Sequence, residues 1–220
     1  MKNQFTRRTF IASAAASLVP ASAAYGRPKE GSAISSLSGE SSQAATSIKK
    51  DWKDAGVIDL TNSPYAKLKT VPVRAVTIQD GFWSQRRKTN IASSIPSMHR
   101  ELLAHGRMDN FLRLEGKSPE PQKGPVFADS DIYKWTEAAA FTLQTNNEPQ
   151  LRSTVEKTIR EVVAIQEPSG YLNTYYVGDR KSERMLYPTQ ERGHELYNIG
   201  HMLQGAIAYY RATGDPTLLD

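Results

Sequence analysis

The sequence contains no cysteine among its 220 residues. Disulfide bonds and thiolate metal sites are therefore excluded within this chain, whatever compartment it occupies. It also lacks a serine-centred nucleophile elbow and a glycine-rich phosphate loop, so it carries no motif of the serine hydrolases or P-loop enzymes. The apolar run near the N-terminus is too short to span a bilayer as a helix.

A strong excess of one charge is missing as well. The formal net charge is +5, but Lys2, Arg7 and Arg8 belong to a leader-like segment that holds no acidic residue. Without these three residues the charge falls to about +2, which is too small to indicate a nucleic-acid partner. With 39% hydrophobic and 23% charged residues, the composition is that of a globular protein with a sizeable core.

Residues 1–24 have the pattern of an export signal. Arg7 and Arg8 precede a mildly apolar, alanine-rich run that ends in the small-x-small sequence 21–23. Paired arginines ahead of such a run resemble a twin-arginine signal, and a general secretory signal is the alternative. We therefore expect a periplasmic or secreted bacterial protein with no membrane association after cleavage. Residues 25–56, rich in Ser, Ala, Gly and Lys, are predicted to be a disordered linker.

Replacing both Arg7 and Arg8 by lysine tests this export route. Because the twin-arginine interpretation depends on that pair, the double substitution should abolish export although the leader keeps its positive charge. The measurement is the fraction of the chain that reaches the periplasm of a bacterial host. Export at an unchanged level would contradict the twin-arginine route.

Helical periodicity dominates residues 57–220. Helices are predicted from Ser84 to Ser94 and on to about Ala104, over Asn110 to Leu114, from Asp129 to near Asn146, from Pro149 to about Val163, and from about Arg192 to Ala212. Gly214 is the expected C-terminal glycine of the last helix. Val71–Ile78 alternates β-branched residues and is predicted to be one strand or extended edge. The fold class is therefore all-α with an extended N-terminal segment, either as helical hairpins around a cavity or as a compact bundle.

The last predicted helix carries the main candidate site. His194 and His201 lie seven residues apart, so at about 100° per residue they share one face of a helix. Asn198 and Gly205 fall beside them. The opposite side carries an aliphatic stripe that is suited to packing, made of Leu196, Ile199, Leu203, Ile207 and Tyr210. The polar face of such a helix either lines a cavity or is simply solvated.

The spacing of the two histidines excludes a shared zinc ion. Seven residues of helix place them about 10.5 Å apart along the axis, whereas a spacing of four residues would suit one metal. Paired carboxylates for glycoside hydrolysis could come from the acidic residues Asp129, Asp131, Glu137, Glu191 and Glu195. Helix capping explains Asp129 and Asp131 equally well, and the helix dipole explains Glu195, so spacing assigns no catalytic pair.

Aromatic and amide side chains favour a sugar-binding surface. Tyr171, Asn173 and Tyr175 occur in one predicted loop, and Trp135 stands early in the helix that begins at Asp129. Aromatic rings pack on the C–H faces of sugars, and Asn, Asp and His side chains hydrogen-bond the hydroxyls. Ordinary half-buried packing is the alternative role for the tyrosines.

Six ordered segments resemble glycoside hydrolase family 127, the β-L-arabinofuranosidase-like family. These segments are Asp80–Ser84, Gly106–Phe111, Asp129–Ala138, Gln166–Tyr175, Gly193–Tyr197 and Gly200–His201. The resemblance extends from about Val73 to Asp220. It implies an (α/α)6 barrel, of which this chain would form about the first third, and retaining hydrolysis of terminal β-L-arabinofuranosides in plant glycans.

The resemblance also implies roles for individual residues. His194 matches a histidine that contacts the arabinose, and Asp131, Asn173 and Tyr175 are further candidates for a sugar-binding wall. In the family, a zinc-bound cysteine thiolate is the nucleophile, and glutamates serve as acid/base and metal ligand.

No residue of this chain matches those catalytic and zinc-binding groups. We therefore expect zinc in the full-length family enzyme, but no catalytic residue and no metal ligand here. The chain would then be an inactive, apparently truncated N-terminal part of a secreted enzyme whose partner is an arabinofuranoside-containing glycan. A secreted, non-catalytic helical module that binds glycans or scaffolds a partner is the alternative.

Overall fold

The computed structural model describes residue 56, residues 58–186 and residues 193–220. The predicted export signal, residues 25–55 of the predicted linker, and Glu191 lie outside this part of the chain. Six α-helices occur within it: Phe82–Thr89 (α1), Ile95–Ala104 (α2), Asp109–Leu112 (α3), Asp129–Leu143 (α4), Pro149–Ala164 (α5) and Glu195–Thr213 (α6). Three short 3-10 turns, Val73–Ala75, Arg113–Glu115 and Gly178–Glu183, and the π turn Asn90–Ser94 complete the regular structure of the described residues. The described residues are therefore all-helical, as predicted.

The predicted strand at Val71–Ile78 is wrong. Its middle residues form the 3-10 turn Val73–Ala75, and the side chains of Val71 and Val76 are more than half exposed. A strand needs a neighbour that satisfies its backbone hydrogen-bonding groups, and the described part of the chain contains no strand. Alternating β-branched residues favour a strand, but this preference depends on packing against neighbouring strands, which the described residues do not provide.

The helix between α1 and α2 widens into a π turn over Asn90–Ser94. Pro96, near the start of α2, accounts for this widening: it has no N–H, and its ring would clash with the carbonyl four residues earlier in a regular α-helix. The chain thus stays helical across the proline. Helix α1 begins at Phe82, not after Ser84 as predicted, and the residue at its N-cap is Gly81 with a φ of 138°.

The other helix limits lie close to those predicted from prolines, glycines and capping residues. Helix α4 begins at Asp129 as predicted but ends at Leu143, about three residues before the predicted end, and Pro149 occupies the first turn of α5. Helix α6 starts three residues later than predicted, at Glu195, and ends at Gly214, whose φ of 79° is the left-handed conformation that favours glycine. Prolines and glycines therefore located the termini, because they act through local backbone geometry.

Helices α4 and α6 make the most extensive helix–helix contact of the described residues. Gly205 permits this close approach, because a Cβ at that position would lie 2.9 Å from the carbonyl oxygen of Tyr133. Helix α6 buries the side of Asn198, Met202, Gly205 and Tyr209. The predicted packing face is therefore wrong: Asn198 and Gly205, expected on the polar side, are buried, and Ile207 of the aliphatic stripe is 42% exposed.

Trp135 of α4 lies in the core, next to the start of α2. It is 1% exposed, and its indole N–H donates to the carbonyl oxygen of Ile95 at 3.0 Å. The interpretation of Trp135 as part of a sugar-binding surface is therefore wrong. Other large, fully buried side chains around it are Phe111, Ile132, Tyr133, Val155, Val162 and Tyr209. Among the residues described, no helix is long and apolar enough to cross a membrane.

Candidate functional site

A row of three rings runs along the start of α6. The Tyr197 ring centroid lies 5.7 Å from that of His194 and 4.6 Å from that of His201, and the ring is nearly perpendicular to both. The two imidazoles therefore both contact the same tyrosine ring. Tyr197 is 40% exposed, whereas both histidines are half-buried. The row thus presents an accessible aromatic ring between two imidazoles.

Helix α4 and the residue Phe127 before it support this row. The Phe127 ring lies 4.9 Å from the His194 ring and 6.2 Å from the Tyr197 ring. Lys134 Nζ donates to the Tyr197 hydroxyl at 2.6 Å and to Ser130 Oγ at 3.2 Å. The ammonium group also lies 4.8 Å from the Tyr197 ring centroid, within the range of a cation–π contact. The Lys134 ammonium group of α4 and the Phe127 ring before it therefore hold the exposed Tyr197 of α6.

His194 lies immediately before α6. The prediction that places it in the first turn of this helix is therefore wrong. The backbone of His194 is left-handed, with a φ of 52°. A non-glycine residue adopts this conformation rarely, and it persists where the surroundings hold it. The Nδ1 atom of His194 is buried and has no hydrogen-bond partner among the described residues. Such an unpaired ring nitrogen at a strained position is typical of a functional site.

The surroundings of His201 favour its uncharged form. Burial lowers the pKa of its imidazole below the usual value, and the neighbouring Lys134 ammonium lowers it further, whereas Glu137 opposes this shift. A neutral imidazole has one N–H donor and one nitrogen acceptor. It can therefore exchange hydrogen bonds with hydroxyl groups in both directions.

The residues on either side of His194 are held by tyrosine hydroxyls. Tyr176 donates to the carbonyl oxygen of Gly193 at 3.2 Å, and Tyr171 donates to Glu195 Oε1 at 2.5 Å. The second carboxylate oxygen of Glu195 accepts the backbone N–H of Met185 at 2.5 Å. Burial and the adjacent Glu195 raise the pKa of Tyr171 far above its usual value, so its hydroxyl remains a donor. Glu195, 3% exposed, is thus a buried anchor as well as a first-turn acid.

Asp129 joins the start of α4 to the loop that precedes the histidine row. Its two carboxylate oxygens accept the backbone N–H of Thr174 at 2.8 Å and its hydroxyl at 2.5 Å. The helix N-cap is Ala128, which makes no side-chain cap, so the capping interpretation of Asp129 is wrong. Burial raises the pKa of Asp129 to about 6, although the two bonds from Thr174 and the charge of Arg113 act in the opposite direction.

The other predicted sugar-binding residues have contacts of their own. Asp131 pairs with Arg107, whose Nε lies 2.9 Å from Oδ2, so it does not cap the helix either. The Oδ1 atom of Asn173 accepts the backbone N–H of Tyr175 and of the next residue, at 2.8 and 2.9 Å, which closes a turn. Tyr175 is half-buried, with the Arg180 guanidinium 4.3 Å from its ring centroid. Sugar contacts by these three residues, and by His194, remain predictions.

An ion pair fixes the far side of the same loop. Arg184 donates twice to the Glu167 carboxylate, at 2.9 and 2.8 Å, and lies 3.8 Å from the Tyr171 ring centroid. These hydrogen bonds lower the pKa of Glu167 to about 2. Charge-assisted bidentate pairs have a fixed geometry, so Arg184 holds the ring of Tyr171 in place.

An apolar groove of about 550 Å³ lies elsewhere, between the N-terminal segment and helices α1 and α4. Val71, Val73, Ile78 and Phe141 are among its lining residues, and none of the residues of the histidine row belongs to it. The candidate site is therefore the row and its supports. Spacing alone could have shown Tyr197, which follows His194 by three residues, but Phe127 and Lys134 come from a distant part of the sequence.

Comparisons with known proteins agree on one protein family. Residues 75–220 match the family model described as the β-L-arabinofuranosidase GH127 catalytic domain. The non-reducing end β-L-arabinofuranosidase of Bifidobacterium longum subsp. longum is 30% identical over 166 residues, which cover 66% of this chain and 25% of the relative.

Two solved structures resemble the chain in three dimensions. A GH127 β-L-arabinofuranosidase from Geobacillus stearothermophilus T6 shares 34% identity with a TM-score of 0.62, over 66% of this chain and 24% of that one. A second GH127 β-arabinofuranosidase shares 32% identity with a TM-score of 0.60, over 67% of this chain and 24% of that one. The chain thus spans about a quarter of the length of these relatives. Because the family model covers residues 75–220, well over half of the sequence, the chain belongs to glycoside hydrolase family 127.

Proposed function

We propose that the chain forms a sugar-binding wall in the N-terminal part of a secreted glycoside hydrolase that acts on terminal β-L-arabinofuranosides. One observation carries the proposal: the accessible ring of Tyr197 lies between the imidazoles of His194 and His201. Family membership supports the substrate class, since the similar proteins are β-L-arabinofuranosidases. The partner is an arabinofuranoside-containing oligosaccharide or glycan, and the helices belong to a partial (α/α)6 barrel.

The chemistry of the row suits a small furanose. Tyr197 offers an exposed aromatic ring to the C–H groups of the sugar. His194 presents a half-buried imidazole that can bind a hydroxyl, and the uncharged form of His201 can donate or accept one more hydrogen bond. None of these groups needs a charge on the substrate, so the wall favours a neutral sugar.

The residues present do not fit a zinc–cysteinate centre. The sequence has no cysteine, and the described residues include no group of three or more His, Asp or Glu side chains that could hold a metal ion. No step of a reaction is therefore assigned to zinc within this chain. We propose that the nucleophile and the acid/base belong to other residues of the complete enzyme, and that these 220 residues bind sugar without cleaving it.

Substituting His194 by alanine tests the sugar-binding role. We expect the Kd of the chain for methyl β-L-arabinofuranoside to rise by about tenfold, because one hydrogen bond worth roughly 1.4 kcal/mol is lost. The Kd is measured by titrating the chain with the sugar and monitoring the titration by nuclear magnetic resonance. His105→Ala is the matched control, since His105 is an exposed histidine at the end of α2. Equal affinities of the two variants would refute the role of His194.

The absence of catalysis is tested with an aryl β-L-arabinofuranoside, with and without added zinc. We expect no turnover above the blank. Binding without hydrolysis also fits a non-catalytic glycan-binding module, so the gene sequence after Asp220 has to separate the two. A frame that continues into a segment with glutamates and cysteines supports the enzyme, and a stop codon directly after Asp220 supports the module.

A further inference from the structure

The backbone at His194 is held from both sides by one loop. Tyr176 binds the carbonyl oxygen of the residue before it, and Tyr171 binds the carboxylate of the residue after it. Both hydroxyls are contributed by the segment 171–176, and both tyrosines are buried. His194 between them has the left-handed φ of 52°, which a histidine does not favour by itself.

The loop that carries the two tyrosines is a rigid support. Its residue Thr174 is bound twice by the buried Asp129, and its residue Asn173 closes a turn on the following backbone. Arg184 packs on the ring of Tyr171 and is fixed in turn by Glu167. The hydroxyls therefore occupy defined positions before any ligand arrives.

The conformation of His194 determines where its imidazole lies. The ring is placed 4.9 Å from Phe127 and 5.7 Å from Tyr197, with Nδ1 buried. A rotation about φ at this residue would carry the whole side chain away from both rings. We propose that Tyr171 and Tyr176 are positioning residues, which hold residues 193 and 195 so that the His194 imidazole faces the sugar. This inference rests on the proposed sugar-binding function of His194.

The test uses the 220-residue chain labelled with 15N-histidine, and it needs no ligand in its first arm. Tyr176→Phe and Tyr171→Phe each remove one hydroxyl and keep the ring. We expect both substitutions to shift or broaden the imidazole resonances of His194, while those of exposed His105 stay in place. In the second arm, the Kd for methyl β-L-arabinofuranoside should rise by about three- to tenfold in both variants.

Tyr209→Phe is the matched control. It removes another buried tyrosine hydroxyl from α6, one that donates to Asp215 Oδ2 at 3.2 Å, far along the helix from His194. It should destabilise the chain without moving the His194 resonances. A shift of the His194 resonances in this control as large as in the two loop variants would mean a general loss of stability, and would overturn the proposal.

The positioning proposal would also be overturned if Tyr176→Phe kept the circular dichroism spectrum of the unsubstituted chain and left the His194 resonances unchanged. This variant decides the question if Tyr171→Phe fails to fold, because its bond to the Gly193 carbonyl oxygen, at 3.2 Å, is longer than the one that Tyr171 makes. The two arms separate the two proposals. If the unsubstituted chain shows no response to the sugar, the sugar-binding function fails, whereas the resonances without ligand still decide the positioning role.

Discussion

Replacing Gly205 by alanine is expected to lower the free energy of unfolding by about 2 kcal/mol. The added Cβ would lie 2.9 Å from the carbonyl oxygen of Tyr133, and this oxygen belongs to the backbone of α4, which cannot rotate away. Helices α4 and α6 would have to separate, and the packing of Met202 and Tyr209 against α4 would loosen with them. The better helix propensity of alanine offsets only about 1 kcal/mol of this cost. Urea denaturation followed by circular dichroism measures the change.

Gly200→Ala is the matched control in the same helix. Gly200 is exposed, and a Cβ at that position would meet nothing within 4 Å. This substitution should therefore stabilise the chain by about 0.5–1 kcal/mol through helix propensity alone. Opposite signs for the two glycines would establish Gly205 as the contact point of the helices. A stabilising effect at both positions would show that α6 does not approach α4 as described.

Asp129 should contribute to the free energy of unfolding, and this contribution should decrease as the pH rises from 4 to 6. The pKa of the buried carboxyl is raised to about 6 from a usual value of 3.8. Between these values the folded chain keeps the proton that the unfolded chain has released, so a rising pH favours unfolding. The contribution of this group amounts to about 3 kcal/mol, from a shift of about two pH units at 1.36 kcal/mol each.

Asp129→Asn should remove this dependence on pH. An asparagine can still accept the N–H of Thr174, and its amide can donate to the hydroxyl oxygen, so the loop retains its attachment. The control is Asp131→Asn, which alters a neighbouring, partly exposed carboxylate and leaves Asp129 in place. Denaturation at pH 4, 5, 6 and 7 gives the slopes. If the slope between pH 4 and pH 6 is the same in Asp129→Asn as in the unsubstituted chain, the raised pKa is refuted.

The sequence was sufficient for features with a local cause. The start of α4 and the limits marked by Pro149 and Gly214 were predicted correctly, because backbone restrictions act within a few residues. The family was likewise recognisable from its ordered segments, and the comparisons confirm it.

Features with partners far along the chain were missed. Asp129 was interpreted as a cap, but its carboxylate binds Thr174 in a loop that follows α5. The packing side of α6 was predicted from its aliphatic residues, whereas a glycine decides it by allowing two backbones to approach. Hydrophobic periodicity has no means of detecting a contact that depends on the absence of a side chain. The strained backbone of His194 is equally invisible, since two tyrosine hydroxyls from elsewhere in the sequence hold it.

The contact at Gly205 also bears on how freely the intervening chain can change in length. Tyr133 and Gly205 are separated by about 70 residues, so the chain entropy lost on bringing them together is already large. This loss grows only with the logarithm of the separation, and ten more residues would add about 0.1 kcal/mol. Insertions into the exposed turn Gly178–Glu183 are therefore thermodynamically cheap for the helix pair. The segment beyond the tyrosines can thus change in length while the packing of α4 on α6 is kept.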